Sequence, residues 1–381
     1  MQIYLVGGAI RDELLGLPVT ERDYVVVGAE PGELLAQNFT QVNPDFPVFN
    51  HPKTGHEYAL ARREHKIGVG YKGFSIETGP DITLEEDLAR RDLTINAIAR
   101  DQDGNLIDPW HGLKDIQDRR LRHITPAFQE DPVRLLRIAR FATRLGHLGF
   151  AISHPTFKLM RGMVDPTELQ SLVPQRFREE LLKAIMAPEP WRFLTTLHRC
   201  GALVHLLPEL ATAMEPLPAS HTNATQLPVQ HPIAVLQRSI QQTNDRNVIF
   251  TALISSTTDN PITAVKICKH LKLERAVEQL TSLVLNWPAV KLVQAQAQDL
   301  LSLLDKKRLW QNIQLREAFL QVLSIIDPDY GPKAGQRLTQ AIQAWATVSI
   351  ASLAPDALAA LNLGDILKQR RLHAIKQIVG N

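Results

Sequence analysis

Apolar residues fall in short runs through roughly the first third of the chain and in helical period after that. Gln2–Val6, Tyr24–Val27 and Glu57–Ala61 are brief runs rich in Val, Ile, Leu and Tyr, which predicts strands. Ala9–Leu15 and Pro31–Asn38 have helical spacing, the second opened by a proline in its first turn. Thr83, with Glu86 three residues on, forms a capping box for a helix that leads into RRDLTINAI, Arg90–Ile98. Asn105–Ile107 predicts a strand, and Asp108–Ile116 a turn into a short helix. Arg62–Pro80 contains a Gly- and Lys-rich stretch without clear period; it predicts a long loop, either a mobile active-site loop or a surface excursion.

From Asp131 the pattern turns helical and stays so. In EDPVRLLRIARFATRLG, Pro132 marks a helix start and Leu135, Leu136, Ala139 and Ala142 share one face, while Arg134, Arg137 and Arg140 recur every three residues. Pro174–Ile185 is a second amphipathic helix. The polar, proline-rich run after about residue 210 predicts a boundary loop. Helices are expected over 231–243, 246–256, 261–272, 274–286, about 296–325 in two pieces, 333–346 and 354–378.

A chain of 381 residues with 44% apolar and 22% charged residues has room for two or three domains with real cores. No apolar run approaches the ~20 residues that span a bilayer, and Met1 leads straight into a strand, so the expectation is a cytoplasmic protein without a membrane segment. Two cysteines, Cys200 and Cys268, are too few for a disulfide framework or a structural zinc site. The net charge is only +2, but residues 1–118 carry −9, residues 119–199 carry +7 and residues 200–381 carry +4. An acidic head followed by a basic middle suits a protein that collects metal and handles nucleotides on a nucleic acid.

The candidate chemistry sits in Leu5–Val27. Gly7 and Gly8 follow the first strand and lack side chains, so a triphosphate can approach the backbone N–H groups; Arg11 supplies a cation one turn later. Glu21 and Asp23 alternate on the incoming strand and face the same way. Two converging carboxylates can hold a divalent metal beside the phosphates, which implies nucleotidyl transfer. Asp131, one turn before Arg134, offers an acceptor edge beside a donor fork, suited to a nucleobase edge.

Taken in order, these motifs resemble the polymerase-β-type nucleotidyltransferases and, from Met1 to about Leu210, the bacterial class II CCA-adding enzymes, which build the 3′-terminal CCA of tRNA. The ending GDILKQRRLHAIKQ is similar to the family's C-terminal helix. The resemblance implies an α/β nucleotidyltransferase head, a mixed β-sheet with flanking helices, followed by an all-α neck, body and tail in an elongated molecule. The segments would be 1–125 (catalytic head), 126–210 (nucleotide-selecting, RNA-binding neck) and 211–381 (tRNA-binding body and tail, with a degenerate HD-like region). It further implies that Gly8 and Arg11 contact the triphosphate, that Glu21 and Asp23 are catalytic ligands of Mg²⁺, and that Arg91 contacts the ribose and phosphates. Asp131 and Arg134 would read the incoming CTP or ATP, and Arg137 and Arg140 would make further nucleotide contacts. The stretch 62–80 resembles the loop used in moving from C to A addition, and Pro174–Lys183 the family's helix-stabilising neck motif. The implied partners are CTP, ATP and the acceptor and TΨC arms of tRNA, gripped by backbone shape, with no obligate protein partner.

The chain departs from the family pattern twice. Glu21 stands where aspartate is usual, and its extra methylene moves the carboxylate by roughly an ångström against an ion that demands a near-ideal octahedron. Metal binding is still expected, because the oxygens are the same and the longer side chain can fold back. None of the thirteen histidines is followed by aspartate, and FTALISSTTD carries Ser255 and Ser256 where an HD pair would stand. His231 is either a relic of that site or a surface residue, and no HD-type phosphohydrolase activity is expected. A CC-adding or A-adding enzyme, a poly(A) polymerase of the same superfamily, and a catalytically decayed tRNA-binding protein remain as alternatives.

Overall fold

The computed structural model describes residues 1–43, 46–68, 73–172, 174–215, 227–350 and 362–379. Its contacts divide the chain into two compact units, Met1–Leu206 and Leu207–Asn381.

The first unit opens with β1 (Gln2–Val6), α1 (Gly8–Leu14), β2 (Asp23–Val27), α2 (Pro31–Ala36), β3 (Thr40–Asn43), β4 (Phe46–Asn50) and β5 (Glu57–Leu60). It continues with β6 (Arg62–Lys66), β7 (Phe74–Thr78), α3 (Leu84–Ala89), a 3₁₀ turn at Thr94–Asn96, β8 (Ala99–Arg100) and β9 (Leu106–Ile107). The main sheet has the order β3-β4-β5-β2-β1-β8-β9; β1 runs antiparallel to β2, and β2 parallel to β5. Successive residues of β2 face opposite sides. Val25 and Val27 pack with Val6, Leu84 and Leu88 on the α3 side, whereas Val26 packs with Leu34 and Phe49 on the α2 side. Asp23 is in phase with Val25, so its carboxylate emerges on the face that α3 covers.

The capping box at Thr83 is formed: its hydroxyl accepts from the Glu86 N–H, and the Glu86 carboxylate accepts from the Thr83 N–H. The stretch 62–80 is not a plain loop. β6 and β7 pair antiparallel from Arg62↔Thr78 to Lys66↔Phe74, and residues 69–72 lie outside the described residues. β3 and β4 at the sheet edge were also not anticipated.

Further elements of this unit are α4 (Gly112–Gln117), β10 (Arg120–Leu121), α5 (Val133–Leu145), β11 (Ala151–Ile152), α6 (His154–Gly162), α7 (Pro166–Ser171), α8 (Pro174–Ile185), α9 (Trp191–Cys200) and α10 (Leu203–Leu206). On α5, Leu135, Leu136, Ala139 and Ala142 are all buried, as their spacing predicts, and the helix packs on α8 and α9.

The second unit is helical in all its described elements: α11 (Pro208–Ala213), α12 (Pro232–Gln242), α13 (Arg246–Ser255), α14 (Pro261–His270), α15 (Arg275–Asn286), α16 (Ala289–Gln294), α17 (Ala297–Lys307), α18 (Ile313–Ile326), α19 (Gly331–Ala346) and α20 (Leu363–Val379). Leu300, Leu304, Phe319, Leu323 and Leu338 are among the side chains of its core. The boundary loop expected after residue 210 falls largely on residues 216–226, and the expected helix start at 354 on residues 351–361; both ranges lie outside the described residues. No described helix is long and apolar enough to cross a membrane.

Candidate active site

The β1–β2 register sets the geometry. Val6, the residue before the glycine pair, lies directly opposite Asp23 across the antiparallel ladder, so the turn and the carboxylate meet at the same end of the sheet. Gly7 has φ +76°, and a Cβ there would sit 2.9 Å from Nη1 of Arg91; a Cβ on Gly8 would sit 3.4 Å from Nη2 of Arg11. Positive φ and the close approach of a guanidinium both call for glycine. The pair therefore lets two arginines lie over bare backbone, which the sequence alone does not reveal.

One cleft of about 1500 Å³ is lined by Gly8, Arg11, Glu21, Asp23, Arg91, Asp131, Arg134, Arg137 and Arg140, every residue nominated from the sequence. Its volume exceeds the ~300–1,000 Å³ of ordinary small-molecule sites. Asp23 is held above the usual carboxylate range, first by burial and further by Glu21, against the opposing pull of Arg91. A carboxyl with a like charge beside it and too little cation is a natural metal ligand, and both Glu21 and Asp23 offer the hard oxygens that suit a divalent ion.

The arginines are not free side chains. The Arg11 guanidinium is 3% exposed; its Nε donates to Asp12 Oδ1 at 2.9 Å, and Nη1 donates to Asn96 Oδ1. Arg91 donates Nη2 to Asp87 Oδ2 at 3.3 Å, and Arg90 donates Nε to Oδ1 of the same carboxylate at 2.9 Å. Arg90 also reaches Glu64 on β6, 2.8 Å away, which ties the hairpin to the cleft. Arg137 Nε donates to Asp92 Oδ2 at 2.7 Å, and Arg140 Nε to Glu180 on α8. Burial alone would raise Asp92, but Arg137, the Asn96 amide and the Leu93 N–H outweigh it and hold the carboxyl far below its ordinary value. Asp87, equally buried, is likewise held low by Arg90, Arg91 and Arg62.

The donor fork expected of Arg134 is turned inward. Its Nη1 donates to the Ala127 carbonyl at 3.1 Å and Nη2 to the Arg90 carbonyl at 2.6 Å, because the side chain is buried where the 126–130 turn meets the end of α3. Asp131 keeps an acceptor edge in the cleft while Oδ1 accepts from the Val133 N–H at 2.9 Å, and burial raises its pKa.

Asp12, Asp87, Glu64, Glu180 and Arg144 were missed as site residues. The one available signal was the Arg-Asp dipeptide, which occurs at 11–12, 22–23 and 91–92. His231 is neither a surface residue nor one of a ligand cluster. It is 4% exposed; its Nδ1 accepts from the Ile233 N–H at 3.2 Å, capping α12, and Nε2 lies 3.0 Å from the Met214 carbonyl. Among the described residues no three His, Cys, Asp or Glu side chains gather as a metal cluster.

Of the acidic pair expected to alternate on the second strand, only Asp23 lies on it, as its first residue, and Glu21 stands two residues before the strand begins. A glycine turn after the first strand, an acidic pair at the start of the antiparallel second, and helices bearing cleft arginines define a nucleotidyltransferase of the polymerase-β type. Residues 3–122 match the family described as the poly A polymerase head domain, and residues 149–214 the one described as a probable RNA and SrmB-binding site of polymerase A. The chain is 41% identical to the multifunctional CCA protein of Pseudomonas aeruginosa PAO1 over 99% of this chain and 98% of that one. It is 40% identical to the CCA-adding enzyme of Pseudomonas putida W619, with 100% and 99% covered. Its fold is similar to that of a Thermotoga maritima CCA-adding enzyme complexed with tRNA (18% identity, TM-score 0.65, 100% of this chain and 88% of that one). A Bacillus stearothermophilus CCA-adding enzyme in complex with CTP is similar too (22%, TM-score 0.62, 99% and 88%). The chain belongs to the family of CCA-adding enzymes, the tRNA nucleotidyltransferases.

Proposed function

We propose that this protein builds and repairs the 3′-terminal CCA of tRNA without a nucleic-acid template, in the cytoplasm, from CTP and ATP. The tRNA 3′-hydroxyl oxygen bonds to the α-phosphorus, the bond from that phosphorus to the bridging oxygen breaks, and pyrophosphate leaves. The observation that carries this reading is the convergence of the glycine turn, the Glu21–Asp23 pair and the α5 arginines on one cleft.

Glu21 and Asp23 would hold Mg²⁺, which when bound lowers the pKa of the attacking hydroxyl and stabilises charge developing at the transferred phosphate. Arg11 and Arg91, lying over Gly7 and Gly8, neutralise the triphosphate electrostatically. Asp131 offers its acceptor edge to the base, whereas Arg134 shapes that wall through the carbonyls it holds rather than by presenting a free fork. Arg137 and Arg140, fixed by Asp92 and Glu180, complete the cationic side. The volume beyond one small molecule leaves room for the RNA end beside the nucleotide. No HD-type phosphohydrolase activity is expected, since none of the thirteen histidines is followed by aspartate and Ser255 and Ser256 stand where the pair would be.

The test is single-nucleotide extension of tRNA transcripts ending at the discriminator base, at C and at CC, with Mg²⁺ and CTP, ATP or both. All three should grow to CCA and stop. Arrest at CC, extension of the CC-ended transcript alone, or growth into poly(A) selects another member of the superfamily; binding without extension selects a decayed enzyme. Asp23→Ala and Glu21→Ala should each lose more than the roughly 10–100-fold that outer partners of a metal site are worth. Full activity in either would remove that residue from the metal site.

A further inference from the structure

Six side chains in the first unit form a closed circuit that begins and ends on α5. Arg144 donates Nη2 to Asp12 Oδ2 at 2.8 Å. The other oxygen of Asp12 accepts from Nε of Arg11 at 2.9 Å and lies 2.8 Å from its Nη2. Arg11 passes Nη1 to Asn96 Oδ1, Asn96 donates Nδ2 to Asp92 Oδ1 at 2.8 Å, and Arg137 closes the ring on Asp92 Oδ2 at 2.7 Å. Arg137 and Arg144 are seven residues apart, about two turns of one helix face. Phe141 lies on that face between them, and the Arg11 guanidinium sits 5.2 Å from its ring centroid.

Arg11 is thus the one arginine of the circuit with a hydrogen-bonding partner on each side, Asp12 and Asn96, and Asp12 is the member that grips it while also holding α5. Both Asp12 oxygens accept from guanidinium groups, and its side chain is 7% exposed, which places it behind Arg11 as a support. A buried carboxylate with two cations on it fixes both in place, because charge-assisted hydrogen bonds are the strong and directional ones.

We propose that Asp12 is a positioning residue for nucleotide binding: it sets the Arg11 guanidinium over Gly8 and locks that triphosphate arm to α5, the helix that carries Arg137 and Arg140. This rests on the nucleotidyltransferase reading of the cleft. In Asp12→Asn one oxygen becomes an N–H₂ that must face a guanidinium, so one arm of the grip is lost while shape and volume are kept. The triphosphate is then held less well, and CTP and ATP suffer alike, since the base-reading wall is untouched.

The experiment is equilibrium binding of CTP, ATP and CMP to the full chain without tRNA, alongside thermal melting. In wild type, CTP should bind more tightly than CMP. In Asp12→Asn that CTP-over-CMP ratio should fall about tenfold, the size of a lost charged hydrogen bond, with the CTP-to-ATP ratio unchanged. Asp12→Glu, which keeps the carboxylate, should restore most of the ratio. Arg144→Gln, which removes only the far arm, should lower it less and serves as the test if Asp12→Asn does not fold. Equal losses for CTP and CMP, a lowered melting temperature with an intact ratio, or a glutamate variant no better than asparagine would each make Asp12 merely structural and overturn the proposal. Wild-type protein that binds no nucleotide would instead overturn the reading of the cleft itself.

Discussion

The two units solve the problem of an interior differently. The first buries Arg11, Asp12, Asp87, Asp92, Asp115, Arg134 and Glu180 among its apolar side chains; in the second, the buried polar residues among those described are His231, Ser239, Thr251 and Thr281, none carrying a permanent charge. Removing a charge from water costs several kcal/mol, and well-packed apolar residues of the same volume often serve stability as well or better. Stability therefore does not explain why the first unit retains so many ion pairs. Each of Arg11, Arg91, Arg137 and Arg140 is instead backed by its own carboxylate, which gives the cleft guanidinium groups in set places. The described core of the second unit is held by apolar packing, with Leu300, Leu304, Phe319 and Leu323 fully buried.

The largest expected effect falls on a buried acid of the first unit. Asp92→Ala takes the shared acceptor from Arg137, from the buried Asn96 amide and from the Leu93 N–H at once and should cost about 3–5 kcal/mol in urea unfolding. The pH dependence has a definite sign. Asp92 is depressed in the folded state, so its contribution is fully present above about pH 4 and is lost as pH falls toward the folded value. The stability gap between wild type and Asp92→Asn should accordingly be widest near pH 7 and shrink by pH 3. A gap that stays constant would mean that Asp92 acts through shape rather than charge.

Leu300→Ala in the second unit comes next. Leu300 is fully buried in that unit's core, and its truncation should cost about 2–5 kcal/mol through lost burial and the cavity left behind. Unlike the Asp92 loss, this one should be flat between pH 7 and pH 3 and should leave CTP affinity unchanged. A pH-dependent loss at Leu300 would erase the distinction between the units.

What was readable in the chain follows the same division. The strand, glycine turn and acidic pair could be read because backbone freedom and two-residue alternation leave local marks, and the helices of the second unit because amphipathic period does. The carboxylates behind the arginines could not. Arg140–Glu180 and Arg144–Asp12 join residues 40 and 132 positions apart, and nothing local distinguishes such an acid from a solvated one. β6 was hidden because RREHK is polar on both faces, although Phe74-Ser75-Ile76-Glu77 of β7 does alternate. His231 looked exposed because the carbonyl that meets it belongs to Met214, beyond a proline-rich run.

The same substitution made in each unit sharpens the comparison furthest. Thr94 and Thr251 are both fully buried. The Thr94 hydroxyl donates to Asp115 Oδ2 at 2.6 Å, and that carboxylate also receives Arg122 Nε at 2.7 Å. The Thr251 hydroxyl, in the middle of α13, has no hydrogen-bond partner among the described residues. Thr→Val removes the hydroxyl with little change of shape. At Thr94 it withdraws a hydrogen bond to a charged acceptor and should destabilise by about 1.5–3 kcal/mol. At Thr251 it removes a desolvated group that gains nothing, so the sign reverses, and urea unfolding should show the variant more stable by about 1 kcal/mol. Two losses of equal size would mean that the second unit's interior holds a polar contact as specific as those of the first.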